Sequence, residues 1–160
     1  MLEIFNSLQP FFEDVLREIS VREYARMQKV SPPTASSLLK RFSKEGVLLQ
    51  REERNLLLFR ANKESSLFKD LAVAYWRNTL KKAFEPLREH LLYKKMVLFG
   101  SIAKVENTID SDVDIFIDIK YKELNVSPIE RRLKRRIQFH FIDSLGNEHL
   151  KKNIENGVIL

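Results

Sequence analysis

The pattern of apolar and polar positions in the first 65 residues predicts three short helices followed by a β-hairpin. A first helix is expected over FFEDVLREI (11–19), with Pro10 in its opening turn, where a missing amide costs little. Ser20 and Ser31 are expected to cap the second and third helices, because a serine hydroxyl accepts an amide that a first turn leaves free. Two apolar runs flank 54–55, which predicts the tip of a hairpin.

A longer helical pattern opens the second part of the chain. It predicts a helix over about 66–84 that ends before Pro86, and a further helical stretch over LREHLL (87–92). The apolar positions of the long helix recur at helical spacing. They are Leu67, Leu71, Ala74, Tyr75 and Leu80. The pattern therefore predicts two domains, 1–65 and 66–160, with the long helix linking them.

The first segment resembles the winged helix-turn-helix domains of bacterial and archaeal regulators. The resemblance rests on VREYARMQKVSPPTASSLLKRFSKEGVLLQREERNLLLFRAN (21–62). In such domains the third helix enters the DNA major groove and the hairpin contacts the backbone or the minor groove. The DNA-binding residues that the resemblance implies are Ser31, Thr34, Ser36, Ser37, Lys40, Arg41, Arg51 and Arg54. The simpler interpretation is a solvated helix face, and Glu52 and Glu53 count against DNA contact by the hairpin.

Aspartates in a strand that otherwise suits a core indicate a site in the second segment. The stretch FGSIAKVENTIDSDVDIFID (99–118) ends in a predicted strand whose valine and isoleucine side chains share the core face. Asp112, Asp114 and Asp118 fall on the other face. Burying unpaired carboxylates is costly, so the first two predict a hard dication that offsets their repulsion.

The turn before this strand has the features of a phosphate site. Gly100 allows the backbone to come close to a ligand, and the Ser101 hydroxyl and the amides after it can hold phosphate oxygens. A phosphate cradle that faces a Mg²⁺ site is what nucleotidyl transfer requires.

The stretch GSIAKVENTIDSDVDIFI (100–117) resembles the Gly-Ser … Ser-Asp-x-Asp signature of the nucleotidyltransferase superfamily headed by DNA polymerase β, and within it the minimal nucleotidyltransferases of bacteria and archaea. The resemblance covers about 95–160. It implies a small α/β domain with a short mixed sheet, so the whole chain is expected to be an α+β protein. It also implies Mg²⁺ and a nucleoside triphosphate, ATP or GTP. By resemblance, the catalytic and metal-binding residues are Asp112 and Asp114, and the nucleotide-binding residues are Gly100, Ser101, Lys104 and Ser111.

Two positions depart from the family pattern. Val105 stands where the family usually has glycine, which would give the loop freedom near the phosphates. The family's third carboxylate is expected on RIQFHFID (136–143), where no acid occupies the expected place. His140 shares a face with Gln138 and is the candidate for that third position; the alternative is an ordinary polar residue on a strand. Asp143 is expected to cap the next helix.

The amino-acid composition excludes several kinds of site and favours polyanionic partners. The 160 residues are 44% hydrophobic, include no cysteine and three histidines, and carry a net charge of +6. Disulfides, cysteine zinc sites and thiol nucleophiles are therefore excluded, and no apolar run is long enough to span a membrane. With no signal-peptide pattern, we expect a cytoplasmic protein. The positive charge favours polyanionic partners. The basic run ERRLKRR (130–136) is expected to be a solvated helix face, with guidance of RNA or nucleotide as the alternative.

Two functions remain open at this level. One is an enzyme that transfers a nucleotide to a protein, RNA or small-molecule hydroxyl. The other is a DNA-binding regulator, in a toxin–antitoxin setting by family resemblance, whose transferase-like domain senses nucleotide without catalysis. DNA, nucleotide and, by resemblance, a helical partner protein are the expected partners. The sequence leaves the oligomeric state open, with a dimer among the options.

Overall fold

The structure is a computed structural model that describes residues 3–87 and 94–160. The chain divides into two compact units, Met1–Ala72 and Val73–Leu160. The division falls inside the long helix rather than at 65, because the first turns of that helix belong to the N-terminal unit. There the ring of Phe68 lies 5.4 Å from that of Phe12, between centroids.

Before the long helix begins, the described part of the N-terminal unit contains three helices and a small antiparallel sheet. In chain order its elements are α1 (Glu3–Glu13), β1 (Ile19–Ser20), α2 (Val21–Gln28), α3 (Pro32–Lys44), β2 (Leu48–Glu53) and β3 (Leu56–Ala61). The strands are ordered β1-β3-β2, and β2 and β3 form the predicted hairpin. Residues 54–55 make its tip with positive φ angles of 48° and 62°, the conformation that a two-residue hairpin turn needs.

The predicted caps of α2 and α3 are confirmed. The Ser20 hydroxyl accepts the amide of Glu23, and the Ser31 hydroxyl accepts the amide of Thr34. The prediction for the first helix was wrong: α1 begins at Glu3, and Pro10 lies near its end. Burial of the α1 face is the reason, since its aromatic and leucine side chains reach the core while residues 14–18 leave the helix. The buried set is Phe5, Leu8, Phe11 and Phe12, whereas Leu16 is exposed.

The long helix α4 (Ser66–Ala83) starts where the sequence predicts, and Ser65 accepts the amide of Phe68 at its start. Its buried stripe is displaced from the predicted one. Leu67 is 48% exposed, and the side chains that are buried are Phe68, Ala72, Tyr75, Trp76, Leu80 and Ala83. A 3₁₀ turn over Glu85–Leu87 follows, so Pro86 does stand at the end of the helix. The helical stretch expected over 87–92 lies, beyond Leu87, outside the described residues.

The C-terminal unit contains a four-stranded mixed sheet. Its further elements are β4 (Met96–Phe99), α5 (Gly100–Ala103), β5 (Val113–Ile117), α6 (Ser127–Leu133), β6 (Ile137–Phe141), α7 (Glu148–Glu155) and β7 (Val158–Ile159). The strand order is β6-β5-β4-β7; β5 and β6 are parallel, and the other pairs are antiparallel. The expected α+β class and short mixed sheet are therefore observed.

The two faces of this sheet differ in what covers them. Along β5, Val113, Ile115 and Ile117 are fully buried, as the alternation predicts. On the opposite face, Phe99 and Phe116 join a cluster with Val97 and Ile154, against which Leu145 and Leu150 pack. Helix α7 therefore covers part of the face that carries the aspartates. Among the described residues, no helix is both long and apolar enough to cross a membrane.

Candidate functional site

Asp114 lies against the backbone of Gly100. It pairs with Phe99 across β4 and β5, which brings its carboxylate over the residue that follows Phe99. A Cβ atom on Gly100 would lie only 2.2 Å from Asp114 Oδ2, and Gly100 has a φ of +75°. Both the space and the backbone conformation therefore require glycine here.

Strand β6 places two side chains beside the carboxylates. Gln138 pairs with Asp114 in the parallel register, and its Nε2 donates to Asp112 Oδ2 at 2.6 Å. His140 pairs with Phe116, and its Nε2 lies 4.0 Å from Asp114 Oδ1. Gln138 thus contacts the Asp112 carboxylate, while His140 lies near the Asp114 carboxylate.

The electrostatics of Asp114 indicate a place for a cation. Burial raises the pKa of the Asp114 carboxyl above its usual value; the nearby His140 lowers it in part, and the negative charge of Asp112 raises it further. Both carboxylates are only partly exposed. A cation between them would relieve the repulsion and stabilise the ionised form of Asp114.

The turn after Gly100 is held in a tight conformation. The amide of Glu106 donates to the Ser101 carbonyl at 2.9 Å, and the Lys104 Nζ donates to Asn153 Oδ1 of α7 at 3.1 Å. Val105 is buried with a φ of +58°. A β-branched residue is strained in this left-handed region, by roughly 1–2 kcal/mol. Glycine, which the resemblance led us to expect at this position, would not carry that strain, and burial of the Val105 side chain offsets it here.

The loop before Asp112 is fastened by a buried arginine. Arg135 Nη1 donates to the carbonyls of Thr108, at 2.8 Å, and Ser111, at 2.6 Å. Its guanidinium lies 5.3 Å from the ring centroid of Trp76. The Ser111 hydroxyl in turn accepts the Thr108 amide at 2.9 Å. The predicted solvated face is therefore wrong for Arg135, which positions the segment that leads into Asp112.

Two other acids of this region, Asp118 and Asp143, do not contact Asp112 or Asp114. Asp118 is exposed beyond β5. The prediction that Asp143 caps the last helix was wrong, because its carboxylate accepts the amide of Tyr121 at 2.8 Å. Asn147 caps α7 instead, accepting the amides of His149 and Leu150.

The residues predicted for DNA binding lie on α3 and on the hairpin. Lys40 and Arg54 are exposed, as are Thr34, Ser37 and Arg41, and Ser36 is half-buried. Ser31 uses its hydroxyl on Thr34, with 2.8 Å between the two side-chain oxygens.

Arg51 is already engaged within the N-terminal unit. Its guanidinium binds both carboxylate oxygens of Glu18, at 2.6 and 2.5 Å, and Glu53 at 2.8 Å. This pairing lowers the pKa of the Glu18 carboxyl, chiefly through the hydrogen bond from Arg51.

Sequence reasoning missed the contacts that cross between elements. The contact of Gln138 with Asp112 depends on the register between β5 and β6, which no spacing in the sequence encodes. Arg135 stands within a run of exposed cations, so the sequence does not single it out as buried. In the structure, the chain turns at Lys134, whose φ is 54°, directly before Arg135.

The donor set fits a hard dication that a triphosphate helps to bind. Asp112 and Asp114 supply carboxylate oxygens, and within 3–87 and 94–160 no cluster of three or more acidic, histidine or cysteine side chains could hold a metal by itself. Mg²⁺ commonly uses one or two carboxylates and completes its coordination with substrate phosphates and water. Two carboxylates are sufficient for that mode.

Comparison with known proteins identifies the class. The sequence model of a family described as Nucleotidyltransferase domain matches residues 77–160, more than half of the chain. The chain therefore belongs to the nucleotidyltransferase domain family.

Two curated relatives come from Methanocaldococcus jannaschii. "Putative protein adenylyltransferase MJ0126" is 31% identical over 90 residues, which are 52% of this chain and 91% of that protein. "Putative protein adenylyltransferase MJ1379" is 29% identical over 92 residues, with the same shares covered. No solved structure matches the chain at a significant level.

Proposed function

We propose that the C-terminal unit binds a Mg²⁺–nucleoside triphosphate and transfers its nucleotide slowly to a hydroxyl of a protein, RNA or small molecule. The observation that carries this proposal is the contact between Gly100 and Asp114, with Asp112 beside it. It brings a bare stretch of backbone, able to approach phosphate oxygens, against the carboxylate of Asp114, which follows Asp112 by two residues.

The proposed reaction is attack of the acceptor hydroxyl on the α-phosphate of the nucleotide. The acceptor hydroxyl oxygen forms a bond to the α-phosphorus, the bond from that phosphorus to its bridging oxygen breaks, and pyrophosphate leaves. The hydroxyl proton passes to water. Bound Mg²⁺ supplies charge neutralisation of the triphosphate and activation of the hydroxyl. Asp112 and Asp114 would hold the cation, and Gly100 and Ser101 would contact the phosphates.

The third position of the site supports slow transfer. The family's third carboxylate serves mainly the ion that activates the acceptor. Here Gln138 occupies the place next to Asp112 and donates to it, while His140, our first candidate, lies 4.0 Å from Asp114. A neutral amide cannot replace a carboxylate charge, so this site would hold the activating ion only weakly. We therefore expect this chain to bind the nucleotide but to transfer it slowly or not at all.

The adenine nucleotide is the first donor to test. Both relatives carry the name of protein adenylyltransferases, which favours ATP over GTP as the donor and leaves the acceptor hydroxyl to be identified. The experiment is incubation of the full chain with each α-labelled nucleoside triphosphate and Mg²⁺, alone and with a cell lysate. Label on any macromolecule with release of pyrophosphate supports the enzyme, and calorimetric binding without label supports a nucleotide sensor. The absence of both nucleotide binding and label transfer would contradict the proposal.

We also propose that the N-terminal unit is a winged helix that binds DNA. Its order of helix, strand, helix, helix and hairpin supports this, as does the row of exposed side chains along α3 that ends in Lys40 and Arg41. Arg41 lies 3.9 Å from Glu45 in an exposed pair that phosphates could displace. Arg51 is bound by Glu18 and Glu53, so Arg54 is the stronger candidate for phosphate contact by the hairpin.

A further inference from the structure

A polar pocket opens beside Asp112 on the C-terminal unit. Its volume is about 380 Å³, within the range of ligand sites. The residues that line it come from the loop before β5 and from the segment before β6: Ile109, Asp110, Asp112, Lys134, Arg135 and Arg136. The pocket therefore adjoins the proposed metal site and is lined by three cations and two carboxylates.

The pocket is held open by internal contacts. Arg135 is 7% exposed, and it ties the segment before β6 to the loop through the carbonyls of Thr108 and Ser111. The Val113 amide also donates a hydrogen bond to the Arg136 carbonyl at 2.8 Å, which joins the same two segments at the next residues along the chain. The walls are thus set before any ligand arrives, which lowers the ordering cost of binding.

Two of its cations are available to a ligand. Lys134 and Arg136 are exposed, and neither side chain has an ion pair or hydrogen bond with any other part of 3–87 or 94–160. Lys134 ends α6 in the left-handed conformation, and its amide donates to the Glu130 carbonyl. Arg135 points inward to the loop, and its two neighbours keep their charges at the pocket.

We infer that this pocket binds a phosphate group of the acceptor, so that the acceptor is an alcohol that carries a phosphate near its reacting hydroxyl. The inference rests on the proposed function and defines the acceptor end of that site. A guanidinium and an ammonium together match a phosphate well, since the arginine can form paired hydrogen bonds and the lysine adds a point charge. The pocket's contact with Asp112 places the hydroxyl end of such an acceptor at the carboxylates.

The test is titration of the ¹⁵N-labelled full chain, followed by backbone amide shifts. The probes are glycerol 3-phosphate and a dinucleoside monophosphate with a free 3′-hydroxyl, and the unphosphorylated controls are glycerol and N-acetyltyrosinamide. We expect saturable shifts at 109–112 and 134–136 with at least one phosphate probe. The probe with the higher affinity shows which acceptor the pocket prefers, a small phosphorylated alcohol or a polynucleotide end.

Two variants make the test specific. The double change Lys134→Gln with Arg136→Gln should weaken phosphate-probe binding by about tenfold or more, because charge-assisted hydrogen bonds are lost. Arg131→Gln, a matched change of an exposed arginine outside the pocket lining, should alter it less than about twofold. Equal binding of the unphosphorylated probes, no saturable shifts, or unchanged affinity in the double variant would overturn the inference.

A separate titration with Mg²⁺–ATP keeps the two proposals apart. Shifts at 100–101 and 112–114 with ATP, but none at the pocket with the phosphate probes, would leave nucleotide binding standing and refute the acceptor site. Pocket shifts without any response to Mg²⁺–ATP would refute the proposed function, and with it the acceptor role of the pocket.

Discussion

The Gly100 backbone and the Asp114 carboxylate occupy adjoining space so closely that no side chain fits between them. Gly100→Ala should therefore lower the free energy of unfolding by about 1–3 kcal/mol, through overpacking and a strained positive φ. It should also weaken Mg²⁺–ATP binding, because Asp114 must move. Urea denaturation and calorimetry measure the two effects.

Gly146 provides the matched control for that change. An added Cβ there meets nothing within 4 Å, so Gly146→Ala should leave both stability and nucleotide binding near the parent values. Equal effects of the two alanines would show that the close approach at Gly100 has no special role.

Removing the charge of Asp112 tests the metal assignment. Asp112→Asn should reduce Mg²⁺–ATP affinity by about tenfold or more, equivalent to about 1.4 kcal/mol or more. Asp118→Asn removes the same charge from an exposed position beyond β5 and should have little effect. Binding of Mg²⁺–ATP by Asp112→Asn at the parent affinity, measured by titration calorimetry, would show that the site assignment is wrong.

Placing an acid on β6 tests the proposal that the missing third carboxylate limits transfer. Gln138→Asp places a carboxylate next to Asp112, so any transfer rate should rise by about tenfold or more, with a smaller change in nucleotide affinity. His140→Asp should raise the rate less, since His140 pairs with Phe116 rather than Asp114. Single-turnover assays with labelled ATP compare them. A parent rate of about 1 s⁻¹ or faster, near the low end of ordinary enzymes, would refute the need for a third acid.

The raised pKa of Asp114 predicts a pH-dependent stability. The folded chain holds the Asp114 proton more tightly than the unfolded chain, so ionisation of this group costs stability as the pH rises above the ordinary carboxyl pKa near 3.8. Without Mg²⁺, Asp114→Asn should raise the free energy of unfolding at pH 7, because the variant has no half-buried carboxyl to ionise. The advantage should disappear below pH 3.8, where both folded and unfolded parent chains are protonated at this residue. Urea titrations across this pH range in EDTA would check it; a variant less stable than the parent at pH 7 would contradict the assigned cause.

Salt dependence tests the DNA-binding proposal for the N-terminal unit. Lys40→Ala and Arg54→Ala should each weaken binding of all sequences about equally and reduce the slope of log affinity against log salt by about 1. Lys63→Ala, an exposed lysine outside the proposed surface, is the control. Fluorescence anisotropy with genomic fragments at several salt concentrations measures the slopes. A salt-insensitive complex, or none, would count against the proposal.

Local features of the chain were predictable because they depend on neighbouring residues. The caps at Ser20 and Ser31 follow from side chains that reach the next turn. The tip at 54–55 follows from its position between two apolar runs. The alternation along β5 similarly separated the core face from the aspartates. Predictions that required knowledge of a packing partner failed more often: α1 extends through Pro10 because its aromatic face is buried, and the buried stripe of α4 begins at Phe68 rather than Leu67.

The sequence by itself determined the class of site, because Gly100, Ser101, Asp112 and Asp114 lie close together along the chain and share one turn and one strand. The tertiary structure alone decided what surrounds them. Gln138 reaches Asp112 only through the parallel register of β5 and β6, and Arg135 reaches the loop before Asp112 across 24 positions of sequence. Contacts of this kind depend on how strands align and which side chains become buried, and neither is encoded in local spacing.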